Sequence, residues 1–174
     1  TEDDESVTAA ELVADASVED LTRIIRELGE ERFASRIARS MVRARERAPI
    51  ESTEALVDAI RAALPANVRW RWARSAARVF QGLRIAVNDE LTAVEEALPQ
   101  AFELLAADGR LAVLSFHSLE DRLVKRAFVS LRQRGLARIL TKKPLQAATE
   151  ETEANSRAAS AKLRVCARVA GSTP

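Results

Sequence analysis

The 174-residue chain has one cysteine, one histidine and no tyrosine. A lone Cys166 excludes a disulfide framework, and Cys166 with His117 cannot supply the three or four ligands of a usual zinc site. No metal is expected, and nothing signals a carboxylate-only site. No apolar run approaches the roughly 18 to 20 residues of a membrane helix, and the start lacks the basic-then-apolar order of a signal peptide. No membrane association is expected, and the cytoplasm is the expected location. The five glycines form no GxGxxG motif or P-loop, and CxxC and GxSxG are also missing.

What is present is ordinary core material. With 47% hydrophobic and 30% charged residues, the chain can build one domain or two small ones. The net charge of +1 hides an asymmetry: Thr1 to Glu5 is acidic, whereas Arg69 to Arg84 carries five arginines and no carboxylate. A local basic stripe, not net charge, is the clue to a partner. The first residue is Thr1 rather than Met, which reads as a processed or excised piece.

Apolar spacing predicts a helix from a Ser17 cap to Gly29, a second through Phe33, Ile37 and Met41 to Pro49, and a third from Ser52 or Thr53 to Leu64. A longer helix is predicted from about Ser75 to Leu98, then a short one opened by Pro99. Asp108-Gly109 signals a turn, after which the period changes. Arg110 to Phe116 predicts a strand buried on both faces, as in parallel sheets with helical crossovers. A helix to Gly135 follows, then a strand over Ala137 to Thr141, a polar loop, and a last strand over Lys162 to Val169 at or near the end of the sheet. Three strands with one crossover helix make a poor independent α/β domain, so the expectation is half of a larger sheet.

The stretch Val113 to Arg122, VLSFHSLEDR, leaves a strand and enters a helix. Ligands of open α/β sheets collect beyond the carboxyl ends of the strands, where His117 and Ser118 should lie. The plainer reading is a helix start, with Ser118 as cap and Glu120 and Asp121 facing the positive end of the dipole. The two are compatible. Elsewhere Arg74, Arg78 and Arg84 interleave with Trp70, Trp72 and Phe80, as RNA-binding surfaces do, or form a solvated face over a core. Lys142-Lys143-Pro144 could hold phosphate or simply be exposed. Asn88 could bond a base or a neighbouring loop.

Several segments together resemble, in order and spacing, the MraW/RsmH family. These are GEERFASRIARSM (Gly29 to Met41), VFQGLRIAVNDEL (Val79 to Leu91), GRLAVLSFHSLEDRLVK (Gly109 to Lys125), ILTKKPL (Ile139 to Leu145) and NSRAASAKLRV (Asn155 to Val165). Two runs depart from its pattern: Arg74-Ser75-Ala76-Ala77-Arg78 stands for His-Pro-Ala-Thr-Arg, and Asn155 to Ser160 for Asn-Pro-Arg-Ala-Arg-Ser. The resemblance implies S-adenosylmethionine-dependent methylation of the exocyclic N(4) amine of a cytidine in the decoding centre of 16S ribosomal RNA.

The expected fold class is then α/β, an inserted all-α substrate-recognition domain (1–74) followed by a partial Rossmann-like methyltransferase sheet (75–174). The partners implied are 16S ribosomal RNA in the small ribosomal subunit and the N-terminal half of the enzyme, which carries the main cofactor site; a homodimer stays open. No cofactor-binding residue is identifiable in this chain. His117 and Ser118 are the catalytic candidates. Arg78, Arg84, Asn88, Phe116, Lys142, Lys143, Lys162 and Arg164 are the RNA-binding candidates. A rival expectation is a non-catalytic derivative that binds RNA or serves ribosome assembly without the cofactor half.

Overall fold

A computed structural model describes residues 7–170 of the chain. The acidic start at Thr1 to Glu5 lies outside the described residues. The chain divides into two compact units, with the boundary in sequence between Glu90 and Leu91. The helical unit thus runs past residue 74, because the helix after it packs into the same core: Ala76, Val79 and Leu83 are buried with Leu21, Ile37 and Ile60.

The first unit is all helix. The sequence does not lead one to expect α1 (Ala9–Asp15) from apolar spacing, although a complete Thr8/Glu11 capping box marks its start. Ser17 caps α2 (Val18–Arg23) as expected, and the same run continues into a π turn over Ile24–Leu28. Then come α3 (Ala34–Arg45), α4 (Thr53–Ala63, capped by Ser52), a 3-10 turn (Ala66–Arg71) and α5 (Trp72–Asn88). The helix expected from Ser75 to Leu98 is broken at Asp89, which takes left-handed backbone at φ 46. Aspartate tolerates this conformation, and apolar spacing resumes at once, so periodicity alone could not show the break.

Two glycines set the packing of this unit. A Cβ on Gly82 of α5 would lie 2.9 Å from the Gly29 nitrogen, and one on Gly29 would lie 2.5 Å from the Arg78 carbonyl oxygen. Backbone therefore lies directly on backbone. The Gln81 side-chain amide donates to the Leu28 carbonyl at 3.0 Å beside the crossing.

The second unit holds α6 (Glu90–Glu103) from its second residue on, β1 (Arg110–Ser115), α7 (Ser118–Gln133), β2 (Ala137–Ile139), α8 (Thr149–Ala154), a 3-10 turn (Ser156–Ser160) and β3 (Lys162–Arg168). Pro99 lies inside α6 instead of opening a new helix, and Gln100 turns its side-chain amide onto the Glu96 carbonyl at 3.0 Å. The sheet order is β1-β3-β2, with β3 antiparallel to both neighbours. Three expectations are corrected here. The described strand pairs are antiparallel, not parallel, and β3 is central rather than terminal. Nor is β1 buried on both faces: Leu111 and Val113 pack on the core with Phe128 and Cys166, while Arg110, Ala112 and Leu114 face outward. One-sided burial is what an antiparallel strand under a single helix layer requires. The buried Cys166 thiol is pushed up to about 11 by desolvation and belongs to this core.

Gly82→Ala should destabilise the chain by about 2 kcal/mol, because its Cβ meets backbone that cannot rotate away. Gly135→Ala has open space around its Cβ and should lose only about 1 kcal/mol, from its positive φ. Urea denaturation of the two variants checks the order.

Candidate functional site

The turn after β1 is held by a reciprocal capping box. The His117 Nδ1 accepts the Glu120 N–H at 3.3 Å, while the Glu120 carboxylate accepts the N–H of Phe116 at 2.8 Å and of His117 at 3.3 Å. The cap of α7 is therefore His117, not the expected Ser118, which is the first helical residue. The imidazole nitrogen performs the acceptor role that a side-chain oxygen has at most caps. This fixes the ring chemically. With Nδ1 accepting, a neutral His117 carries its proton on Nε2, which lies 3.4 Å from Glu120 Oε1.

One helical position on, Asp121 is the hub of the site. Arg164 of β3 reaches it with a two-pronged contact, Nε to Oδ1 at 2.6 Å and Nη2 to Oδ2 at 3.2 Å, and Lys162 Nζ lies 3.7 Å from Oδ2. Arg164 is only 7% exposed. Its hydrogen bonds, followed by the charges of Arg164 and Lys162, hold the Asp121 carboxyl below its ordinary value against the opposing cost of desolvation. Burying Arg164 requires this partner, and the pair locks α7 to the centre of the sheet.

The loop after β2 is fastened to the same strand. The Thr141 hydroxyl accepts the Val165 N–H at 2.8 Å, filling a ladder position, and Leu145 bridges to Leu163. Lys142 and Lys143 are thereby presented, exposed, from a fixed loop. Lys142 also borders a cavity of about 420 Å³ between α7 and β2, with Phe128 and Ile139 on its apolar side and Lys125, Arg132 and Arg138 among its lining residues. Those three cations escaped the sequence reading. Two of them had a signal, the seven-residue spacing that puts Lys125 and Arg132 on one face of α7.

The structure thus gathers His117, Ser118, Lys162, Arg164 and the lysine loop around the carboxyl end of β1 and the start of β3. Phe116, 52% exposed, stands on the turn itself. The remaining candidates belong to the helical unit. Arg78 Nη1 lies 3.6 Å from Glu31, whereas Arg84 makes a forked contact with Glu90, which also accepts from Asn88. None of the four glycines among the described residues follows the carboxyl end of a strand: Gly29 and Gly82 form the helix crossing, and Gly109 and Gly135 precede β1 and β2. The described residues therefore do not form the glycine loop on which a nucleoside cofactor would rest.

The chain matches the profile of the MraW methylase family over residues 1–169 and belongs to that family. It is 49% identical to a ribosomal RNA small subunit methyltransferase H of Heliobacterium modesticaldum, over 94% of this chain and 57% of that protein. Proteins of the same name from Heliobacterium mobile and Symbiobacterium thermophilum are 45% and 46% identical, over 95% and 94% of this chain and 58% and 56% of theirs. The chain spans little more than half the length of these curated relatives.

His117→Ala should cost about 1 kcal/mol by removing the α7 cap, and Ser118→Ala less; equilibrium unfolding in urea ranks them. Asp121→Asn should cost about 3 kcal/mol, since it leaves Arg164 buried without its counter-charge. Because the folded-state value of Asp121 is depressed, its contribution is full above its unfolded value, near 3.8, and is lost as pH falls through the folded one. Melting temperature against pH should therefore fall more gently in acid for Asp121→Asn than for the unaltered chain.

Proposed function

We propose that this chain is the C-terminal part of an S-adenosylmethionine-dependent methyltransferase that modifies the exocyclic N(4) amine of a cytidine in the decoding centre of 16S ribosomal RNA. Membership of the MraW methylase family carries the reading, and the relatives named as small subunit methyltransferases support the substrate. The outer edge of β1 supports the fragment reading: among the described residues it pairs with no strand, and Leu114 beside it is 53% exposed. An N-terminal half would extend the sheet there and bring the cofactor cradle that these residues lack. The setting is then the small ribosomal subunit, in the cytoplasm.

S-adenosylmethionine, when bound, supplies an activated methyl group, so the work left to protein side chains is chiefly positioning. Phe116 offers a ring at the rim for the target base or its neighbour. Lys142, Lys143 and Lys162 offer cations to phosphate, whereas Arg164 acts behind them by fixing Asp121. His117 is a positioning residue in this scheme. Its Nδ1 is occupied by the α7 backbone, so it holds the turn rather than taking a proton there.

Calorimetric titration with S-adenosylmethionine tests the division of labour. The 174-residue chain should show no micromolar binding, whereas a protein extended through the preceding reading frame should bind the cofactor and methylate small ribosomal subunits. Micromolar binding to the 174-residue chain would overturn the missing-cradle reading. An extended protein that binds the subunit but leaves it unmethylated would point instead to a non-catalytic assembly role.

A further inference from the structure

The two tryptophans of RWRW, two residues apart, have opposite fates. Trp72 packs against the helical core with the Arg61 guanidinium 5.0 Å from its ring. Trp70, on the 3-10 turn before α5, is 71% exposed. Its ring is not free on both faces, because the Arg71 guanidinium sits 4.5 Å from its centroid. A large ring held open by a cation beneath it is costly to leave in water and well prepared to receive a flat partner.

Arg71 also lines a neighbouring cleft of about 210 Å³, together with Arg32, Arg74 and Arg78. Glu31, at the floor and 2% exposed, is the only carboxylate among its lining residues. That carboxylate is committed: it accepts the Phe33 N–H at 2.9 Å and faces Arg78 at 3.6 Å. Arg32, Arg71 and Arg74 have no ion-pair partner among the described residues. Four guanidinium groups against one carboxylate leave an excess of positive charge in a recess, where its field is concentrated. Guanidinium forks match the tetrahedral oxygens of phosphate better than they match a halide.

A phosphate recess that shares Arg71 with an open indole has the two parts needed to hold a nucleotide whose base is not paired. We infer that this part of the helical unit binds one unpaired nucleotide of single-stranded RNA, its phosphate among Arg32, Arg71 and Arg74 and its base stacked on Trp70. The inference rests on the reading that the chain acts on ribosomal RNA, and it adds an anchoring site on the helical unit. Glu31 serves it indirectly, by holding Arg78 and the Phe33 turn in place. A duplex would satisfy the arginines but has no free base for the ring.

Fluorescein-labelled octauridylate and the 174-residue chain provide the test, read by anisotropy and by tryptophan emission at rising salt. Binding should quench tryptophan emission. Trp70→Leu should weaken binding about tenfold and abolish most of the quench. The double change Arg71→Ala, Arg74→Ala should weaken it at least about tenfold and flatten the salt slope by roughly one unit or more. Arg43→Ala, an exposed arginine on α3, should leave affinity unchanged. Circular dichroism should be native in each variant, since the altered side chains are exposed.

Equal affinity in Trp70→Leu, or an unchanged salt slope in the double variant, overturns the inference. So does absence of binding by the unaltered chain, equal binding of a blunt RNA duplex, or full displacement by inorganic phosphate at matched concentration. None of these readouts involves methyl transfer. An extended protein that fails to methylate ribosomal subunits while the octauridylate results hold would remove the enzymatic reading and leave this site standing.

Discussion

The backbone of α5 rests on the backbone of the Ile24–Leu28 turn because neither Gly29 nor Gly82 has a Cβ, and the charged surface nearby follows from that contact. At such a distance the Leu28 carbonyl can be met by the Gln81 amide, and Glu31 can be carried inward to face Arg78. With the single carboxylate used in this way, the surrounding arginines keep their charge for something else. A larger residue at either glycine would push the helices apart and loosen the geometry of the cleft as well as the core.

The second unit solves a comparable problem with charge instead of close approach. Arg164 lies on the central strand, where a buried cation is tolerable only if its guanidinium is matched, and Asp121 matches it with both carboxylate oxygens. Asp121 is in the first turn of α7, so the pairing also sets where that helix begins on the sheet. His117 and Glu120 then close the turn. The lysines that follow β2 gain their position from Thr141, whose hydroxyl substitutes for a backbone partner of Val165. Asp121 and Thr141 thus fix the polar edge through Arg164 and Val165, neighbours on one strand, while the His117–Glu120 box closes the turn itself.

Much of this could be read from residue order, and the parts that could not have identifiable causes. Ser17 and Ser52 announced their helices, since a hydroxyl before an apolar period has few other uses. Ser118 looked like the same signal, with Asp121 three residues on, yet the residue before it had a ring nitrogen able to do that job and Glu120 three residues after it to complete the box. The kink at Asp89 was hidden because the apolar period continues across it. Strand direction was hidden for a deeper reason: the run from Leu111 to Leu114 is apolar in either kind of sheet, and its pairing depends on the distant strand Lys162–Arg168. For the same reason Arg164 read as a surface cation. Only the sheet register shows that it points at Asp121.

The outer edge of β1 has a consequence for the chain as a material. From Leu111 to Phe116 the strand carries no charge and no proline, and along that edge its amides and carbonyls face no strand among the described residues. Natural sheets protect such edges with lysine, proline or a bulge, and this one has only Arg110 at its beginning. Kept apart from whatever would lie beside it, the strand is a template for its own copy. Colloidal behaviour, more than thermal stability, would then govern how concentrated and how long-lived a solution of these 174 residues can be.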